Sequence, residues 1–308
     1  MKLNTFAKRL SDLIYNSKLD DFELKDKWND LRHEVNETKN HSREISKIIE
    51  FLKQIPKDKQ DIKILDFGCG GCLSVFYLIA LGYTNVWGVD IDGDKNKINL
   101  FLKKILNLEL NTKNRISIYE KLPLDFNNAE FDFIFSQQVF EHVRYEDFHP
   151  IINEISRILK TEGITYNQIP HKLGPFDYHT KTWFLHWFPR SLTIFFLKIL
   201  NKNSLFYQKH LWFRFPWEYI RSFNKVVGIT KNLSNERITE FSDTIFEKSS
   251  GEKKNEFKGV NRFLRILIAK VSKIKIIGPV VKLLFSYFLM LEIVSKKYSL
   301  EYGENSLS

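Results

Sequence analysis

Apolar and polar positions along the middle of the chain form short blocks that predict strands and helices in turn. Five short apolar runs have the length of buried strands, and the segments between them place apolar residues every three or four positions, as on one face of a helix. Four of the strands are expected at residues 62–65, 115–119, 133–135 and 164–169. The remaining strand, second in the chain, is expected to end at Asp90. This alternation predicts an α/β fold with a doubly wound parallel sheet.

The flanking regions have different patterns. Residues 1–60 are polar, with apolar residues at helical spacing, and predict an N-terminal helical cap. Residues 171–308 begin with fifteen aromatic residues in the first fifty positions and continue with a polar stretch at 230–260, expected to be an exposed loop. The chain is therefore divided into a cap at 1–60, a sheet domain at 61–170 and an aromatic-rich lid and extension at 171–308.

An apolar segment near the C-terminus, at residues 280–294, has two interpretations. Lys282 and Glu292 interrupt it, and the charge-free part at 283–291 is far shorter than the roughly 20 residues of a membrane span. The favoured interpretation is a buried final strand of the sheet. The alternative is contact with a membrane surface, aided by the basic amphipathic helix predicted at 262–277.

Charge is distributed unevenly along the chain. Residues 1–170 carry 24 Lys and Arg against 26 Asp and Glu, whereas residues 171–308 carry 23 against 11, so the net charge of +10 arises from the second part. Such asymmetry indicates an anionic partner or a membrane surface on that side, unless the lysines are simply solvated. No RNA-binding motif accompanies the charge, and no nucleic-acid partner is expected.

A glycine-containing loop follows the first predicted strand and precedes a helix. Gly68 and Gly70 lack Cβ atoms, so a ligand can approach the backbone N–H groups at the start of the helix. Asp90 lies twenty residues beyond Gly70 and ends the second strand, where a carboxylate can accept both ribose hydroxyls. The pattern predicts a nucleoside cofactor, but Leu73 replaces the third glycine of the dinucleotide fingerprint, which disfavours NAD.

Two blocks of sequence resemble the class I S-adenosylmethionine-dependent methyltransferases. Asp66, Gly68 and Gly70 match the Asp-x-Gly-x-Gly of motif I, and residues 122–143 resemble the stretch that includes the fourth strand and ends in Glu141-His142-Val143. The resemblance implies a methyltransferase with S-adenosyl-L-methionine as cofactor. It also implies a Rossmann-like, mostly parallel seven-stranded sheet whose last strand is antiparallel.

The resemblance places the cofactor at the carboxyl ends of the first four strands, which is where open parallel sheets bind ligands. Glu120 is expected on the adenine side and Gln137 at the methionine end. The predicted cofactor-binding residues are Asp66, Gly68, Gly70, Asp90, Ile91, Glu120 and Gln137.

Catalysis is assigned to His142 and Glu141, which follow the fourth strand. A histidine with a pKa near neutrality suits proton removal from a hydroxyl acceptor, and His142 is predicted to be the general base. The alternative is that Glu141 caps the next helix and His142 only packs against its neighbours.

No metal is predicted. Residues 138–142 resemble the E-x-x-E-H of magnesium-dependent O-methyltransferases of ubiquinone synthesis and of small-RNA 3′ ends, but Gln138 replaces the first acid. The spacing of His171, His179 and His186 matches no zinc pattern. The C-x-x-C at residues 69–72 is interpreted as small residues in the turn rather than as a redox pair.

The predicted reaction is methyl transfer to a hydroxyl or amine of a small or lipid-linked acceptor. The phrase HWFP at 186–189 resembles methyltransferases of bacterial surface-glycan pathways, which indicates a glycan precursor. SQQV at 136–139 replaces the Asn/Asp-Pro-Pro-aromatic motif and argues against amino methylation of nucleobases. The alternatives are a quinone-type O-methyltransferase, a non-catalytic adaptor on an anionic membrane and, less favoured, a nicotinamide-dependent reductase.

The sequence also bears on the compartment. The first eighteen residues lack the uninterrupted apolar core of a signal peptide, so a cytoplasmic protein is expected, with peripheral contact at the inner face of the membrane as a further alternative. The oligomeric state is not predicted.

Overall fold

The structure is a computed structural model that describes residues 43–93, 95–106, 108–109, 111–236, 274, 278 and 288–298. Most of the N-terminal cap, the predicted polar loop after Glu236 and almost all of the basic segment at 262–277 lie outside the described residues.

Seven strands form one sheet in the order β3-β2-β1-β4-β5-β9-β8. Its strands are β1 (Ile64–Phe67), β2 (Val86–Asp90), β3 (Ile116–Ile118), β4 (Phe131–Gln137), β5 (Leu159–Ile169), β8 (Gly228–Asn232) and β9 (Leu291–Lys297). Strands β1 to β5 pair in parallel, and β9 lies antiparallel between β5 and β8. The predicted fold class, a mostly parallel seven-stranded Rossmann-like sheet, is confirmed.

Helices and a small hairpin complete the described part. The helices are α1 (Arg43–Leu52), α2 (Leu73–Ala80), α3 (Asn96–Leu106), α4 (Tyr145–Ile158), α5 (Arg190–Ile199), α6 (Ser204–His210) and α7 (Pro216–Val226). The hairpin consists of β6 (Phe176–Asp177) and β7 (Thr182–Trp183), and a single 3₁₀ turn at Leu185–Trp187 follows it.

The sheet has an apolar core on each face because side chains of a strand alternate between the two faces. Ile64 and Phe133 lie in the core that includes α1 and α2, whereas Leu65 and Ile134 lie in the core that includes α4 and α7. Since both faces are covered, the central strands are continuous apolar runs in the sequence.

The predicted final strand is confirmed. Strand β9 pairs with β5 from Ile169 opposite Leu291 to Ile164 opposite Lys296, and Glu292 is fully buried within it. Among the described residues, no helix has both the length and the apolar character needed to cross a membrane.

Three details of the predicted elements are wrong. Asp66 lies inside β1 rather than after it, because the strand extends to Phe67. Residues 230–232, predicted as part of an exposed loop, belong to β8, an edge strand that is exposed at Ile229 and Lys231 and half-buried at Thr230 and Asn232. The strand predicted at 164–169 begins earlier, directly after α4, because Leu159 already pairs with Phe131 of β4.

The Glu162-Gly163 dipeptide, which follows α4, lies in an irregularity within β5. The register between β4 and β5 shifts between the pair Phe131–Leu159 and the pair Phe133–Ile164. Glu162 has a left-handed φ of +62° there, so the Glu162-Gly163 dipeptide forms the extra backbone of a bulge.

Candidate active site

The neighbouring strands β1 and β4 define the switch point of the sheet. From β1 the chain continues outward to β2 and β3, and from β4 it continues in the opposite direction to β5. Ligands of open α/β sheets bind in the crevice outside the carboxyl ends of the strands at such a point. The loops after β1, β2, β3 and β4 border this crevice and carry the predicted site residues.

The turn after β1 packs closely against the loop after β4. Gly68 has a φ of +79°, and a Cβ at this position would lie 2.3 Å from Cγ2 of Val139. Gly70, with a φ of +48°, and Gly71 have open space where a Cβ would point. Gly68 thus permits the contact between the two loops, while Gly70 and Gly71 leave the outer face of the turn open to a ligand.

Cys72 ends the turn and precedes α2. Its φ of +61° is left-handed, which explains why a small residue suits this position, and it makes no side-chain cap to the helix. The first N–H groups of α2 are therefore available for a ligand. Cys69 and Cys72 are buried free thiols with their Sγ atoms 3.6 Å apart.

Asp90 is fixed against the turn by backbone groups. Its Oδ2 accepts a hydrogen bond from the N–H of Gly70 at 2.5 Å, and its Oδ1 accepts one from the N–H of Ile91 at 2.7 Å. Each carboxylate oxygen retains a lone pair that a ribose hydroxyl can use. Ile91 is 67% exposed beside it and offers an apolar surface to a planar base.

Asp66 is buried in β1, between Gly88 of β2 and Phe135 of β4. Burial, together with the negative charge of Asp90, raises the pKa of its carboxyl to about 8. A cationic ligand in the crevice would have the opposite effect and favour the ionised carboxylate.

The other predicted contacts lie at the same edge of the sheet. Glu120 is exposed just after β3, next to Tyr119, whose N–H donates to the carbonyl of Asp90 at 2.9 Å. Gln137 ends β4, and its Oε1 accepts a hydrogen bond from the hydroxyl of Ser74 at 3.0 Å. Ser74, which joins the start of α2 to β4, was missed because its partner is 63 residues away in the sequence.

Comparison with known families identifies the domain that holds this crevice. Residues 65–167 match a family described as a methyltransferase domain. The chain contains a methyltransferase domain. Its cofactor is S-adenosylmethionine, as the motif I resemblance implied, and the glycine turn and Asp90 have the open face and fixed carboxylate that a nucleoside cofactor requires.

Solved structures similar to this methyltransferase have 14–16% sequence identity to it. A putative sarcosine dimethylglycine methyltransferase from Galdieria sulphuraria is 15% identical, with 82% of this chain and 84% of that one covered and a TM-score of 0.40. The YcgJ protein from Bacillus subtilis is 15% identical, with 84% and 100% covered and a TM-score of 0.44. No match was found among curated proteins.

The predicted catalytic pair lies in a turn between β4 and α4. Glu141 is fully buried, neither of its carboxylate oxygens has a hydrogen-bond partner among the described residues, and burial raises the pKa of its carboxyl to about 8. The alternative that Glu141 caps the helix is wrong, because α4 begins at Tyr145 and has Arg144 at its N-cap position.

His142 is held by one ring nitrogen. Its Nδ1 lies 2.7 Å from the carbonyl oxygen of His210, and its Nε2 lies 3.8 Å from Oε1 of Glu141. Burial lowers the pKa of His142, so the ring is neutral at pH 7. This geometry is compatible with a general base, and the catalytic roles of His142 and Glu141 stay predictions.

The structure adds His179, which the sequence did not assign to the site. The hairpin of β6 and β7 brings its ring to 5.0 Å from that of His142, and its Nδ1 lies 3.1 Å from Oδ1 of Asp177. The two other histidines that recur at this spacing lie elsewhere: Nε2 of His171 contacts the carbonyl oxygen of Leu289, and His186 packs against Phe213. His171, His179 and His186 therefore do not form one group.

The predicted lid exposes an unusual amount of apolar surface. Helix α5 buries Leu197 and Thr193, yet its other side is also apolar. The exposed apolar residues of α5 and its flanks, termed the α5 face, are Phe188, Leu192, Phe195, Phe196, Ile199 and Leu200.

Proposed function

We propose that this methyltransferase transfers the methyl group of S-adenosylmethionine to a hydroxyl, or an amine, of a lipid-linked glycan precursor at the surface of an anionic membrane. The observation that supports the proposal is the exposed α5 face on a helix that packs against α6, the helix that contacts His142 and His179. The supporting steps concern the lipid, the reacting group and the glycan in turn.

A lipid-linked acceptor is favoured by the two-sided apolar character of α5. Phe195 is 55% exposed and Ile199 is 62% exposed, and a patch of this kind marks a surface that contacts a partner or a membrane. Lys198 and Lys202 lie beside these residues in the sequence, as on interfacial helices that bind anionic lipids. The net positive charge of residues 171–308 also favours contact with anionic lipids.

The α5 face is only one helix away from the histidines. Leu197 of α5 and Tyr207 of α6 belong to the same apolar cluster. On α6, Phe206 stacks on His179 and contacts the ring of His142. A lipid tail resting on α5 would thus leave its head group near the end of the crevice.

A hydroxyl acceptor is favoured by the groups at this end. The cofactor supplies an activated methyl group, so the protein has to orient the acceptor and to favour loss of its proton. The imidazoles of His142 and His179, together with the carboxyl of Glu141, provide three side chains suited to this role. The proposal that the acceptor is a glycan rests on the resemblance of residues 186–189 to methyltransferases of surface-glycan pathways.

The experiment compares a polyprenyl-linked saccharide in anionic vesicles with the same saccharide without its lipid. We expect at least about tenfold higher methyl transfer to the lipid-linked form, because the membrane surface raises its local concentration at the site. A panel that includes quinone precursors distinguishes the quinone-type alternative.

Matched variants locate the lipid-dependent surface. Ile199→Thr should reduce the preference for the lipid-linked acceptor, whereas Ile229→Thr, at a 54% exposed position on the far edge strand β8, should leave it unchanged. Equal transfer to both acceptor forms, with Ile199→Thr indistinguishable from the parent protein, would contradict the proposal.

A further inference from the structure

Three potential metal-ligand atoms converge beside the loop that follows β4. The side chains of Glu141, His142 and His179, termed the His–Glu cluster, each offer one ligand atom, and these atoms all lie within 4.8 Å of one another. Glu141 and His142 come from the turn after β4, and His179 comes from the β6–β7 hairpin. Two separate segments thus direct side chains to one point.

The buried carboxyl group of Glu141 is not compensated by a hydrogen bond from the described part of the chain. Its side chain is 0% exposed, and both carboxylate oxygens lack a hydrogen-bond partner in the described part of the chain. A buried carboxyl group without a partner is costly, so each such group in a folded protein requires an explanation. A cation between Glu141 and the two imidazoles would supply the missing partner.

The two imidazoles are held in the tautomer that a metal ligand needs. A carbonyl oxygen only accepts hydrogen bonds, so Nδ1 of His142 carries the proton that it donates to the carbonyl of His210, and its Nε2 has a free lone pair. Nδ1 of His179 likewise donates to the carboxylate of Asp177 at 3.1 Å. Histidine ligands typically donate their second N–H to a carbonyl or carboxylate in this way.

Asp177 is itself held in place by hydrogen bonds. It is almost completely buried, and its Oδ1 accepts a hydrogen bond from the backbone N–H of His179 at 3.0 Å. The hydroxyl of Thr180 donates to its Oδ2 at 2.5 Å. Asp177 is therefore a positioning residue for His179.

We propose that the His–Glu cluster binds a divalent first-row transition metal ion, of which Zn²⁺ is the representative, and that the acceptor hydroxyl binds at its open position. Two imidazoles and one carboxylate are a ligand set used by catalytic zinc, which keeps a fourth position for water or substrate. Mg²⁺ prefers oxygen ligands, and two of the three ligands here are nitrogen.

The metal ion deepens the proposed function, on which this role rests, by accounting for the loss of the hydroxyl proton. Coordination to a dication lowers the pKa of the bound hydroxyl, whose proton passes to solvent water. The oxygen then forms a bond to the methyl carbon as the sulfur–methyl bond breaks, and the sulfonium becomes a neutral thioether. His142 is a ligand in this arrangement and not the base that the sequence predicted.

Metal binding requires only a modest closure of the cluster. Bonds of about 2.0–2.2 Å to a tetrahedral ion place the ligand atoms about 3.4 Å apart. His142 and His179 are the side chains with freedom to move, since they are 33% and 23% exposed. The change needed is on the order of 1 Å.

The test measures metal binding independently of catalysis. The full-length protein is stripped with a chelator, dialysed and titrated with Zn²⁺ by calorimetry, with Co²⁺ absorption as a report of ligand geometry. We expect one ion per chain and a tetrahedral cobalt spectrum. His179→Ala should weaken Zn²⁺ binding by at least about 100-fold, and Asp177→Asn by about 10- to 100-fold, because the latter removes only the orienting partner.

His149→Ala is the matched control, because this histidine is exposed on α4. It should bind Zn²⁺ like the parent protein, and retained S-adenosylmethionine binding by His179→Ala would show that this variant is folded. Equal Zn²⁺ affinity in His179→Ala and His149→Ala would overturn the metal site.

The result also separates the metal from the proposed function. Methyl transfer that survives complete metal removal, with no Zn²⁺ binding, overturns the metal proposal and leaves His142 as the base. One Zn²⁺ bound through His179, in a protein that methylates none of the hydroxyl or amine acceptors, supports the metal site and contradicts the proposed function.

Discussion

Gly68 is the residue on which the shape of the cofactor turn depends most. Its backbone has a left-handed φ, and any Cβ would collide with Val139. We expect Gly68→Ala to lower the stability by about 1–3 kcal/mol and to weaken S-adenosylmethionine binding by about tenfold or more, since the turn must move away from β4. Thermal unfolding and calorimetric titration measure the two effects.

Gly71→Ala provides the matched control in the same turn. In the part of the chain that the structure describes, no atom lies within 4 Å of the position that a Cβ would occupy, so stability and affinity should stay close to those of the parent protein. Comparable losses in both variants would show that the turn is sensitive to any substitution and that the Val139 contact is not the cause.

Asp66 gives cofactor binding a predictable pH dependence. Burial raises the pKa of its carboxyl to about 8, so the group is mostly neutral at pH 6.5 and mostly charged at pH 9. The sulfonium of S-adenosylmethionine favours the charged form, and binding below pH 8 releases a proton. S-adenosylhomocysteine has an uncharged sulfur and serves as the reference ligand. The ratio of the affinity for S-adenosylmethionine to that for S-adenosylhomocysteine should therefore rise by about fivefold or more between pH 6.5 and pH 9, and level off above it.

Calorimetry at several pH values measures this ratio of affinities. Asp66→Asn has no titrating carboxyl, so the ratio should become independent of pH. A ratio that is already constant in the parent protein would mean that the cofactor's charge does not act on Asp66.

At the residue scale, sequence predicted the site where ligand contacts are local. Asp66 lies near the end of β1, Gly68 and Gly70 lie in the turn that follows, and Asp90 ends β2 after one further helix. Their spacing along the chain could therefore be recognised in the sequence. His179 could not be assigned, because its approach to His142 depends on how the hairpin and α6 pack over the crevice.

Among the elements, the edge strand β8 depends on a glycine. At Gly228 a Cβ would lie 2.1 Å from the carbonyl oxygen of Lys296 in β9, and its φ is +151°. We expect Gly228→Ala to lower the midpoint of thermal unfolding by several degrees, since β8 must separate from β9. Ile229→Ala, at the exposed neighbouring position, should change it little, and equal shifts would indicate that the pairing of β8 is not what is lost.

Burial also explains which elements were predictable. Strands β1 to β5 were found from apolar runs because their central members are covered on both faces. Strand β8 is polar because it lies at an edge, and its partner β9 is 59 residues away, so neither composition nor proximity indicated it. The bulge at Glu162-Gly163 arises from pairing with β4 and resembles a helix stop in the sequence.

For the whole molecule, the combination of the α5 face and the basic excess of residues 171–308 predicts salt-sensitive membrane binding. Attraction between lysines and anionic lipids is screened over about 10 Å at 0.1 M salt, whereas apolar insertion is not. The fraction of protein that sediments with anionic vesicles should therefore decrease, but not fall to zero, when the salt concentration is raised from about 0.05 M to about 0.5 M.

Substitution of Phe195 by Ser should remove the salt-resistant part of this binding. Neutral vesicles provide the control for charge and should retain only a weak apolar contribution. Binding that disappears entirely with salt would assign the contact to charge alone and exclude the α5 face.

The contact between Gly68 and Val139 has a kinetic consequence. Val139 lies two residues before Glu141, so a cofactor that fixes the glycine turn also fixes the loop that carries Glu141 and His142. The two substrates should then add in a compulsory order, with S-adenosylmethionine first. Product inhibition by S-adenosylhomocysteine should be competitive against S-adenosylmethionine and noncompetitive against the acceptor, and Gly68→Ala should relax the reaction towards random addition.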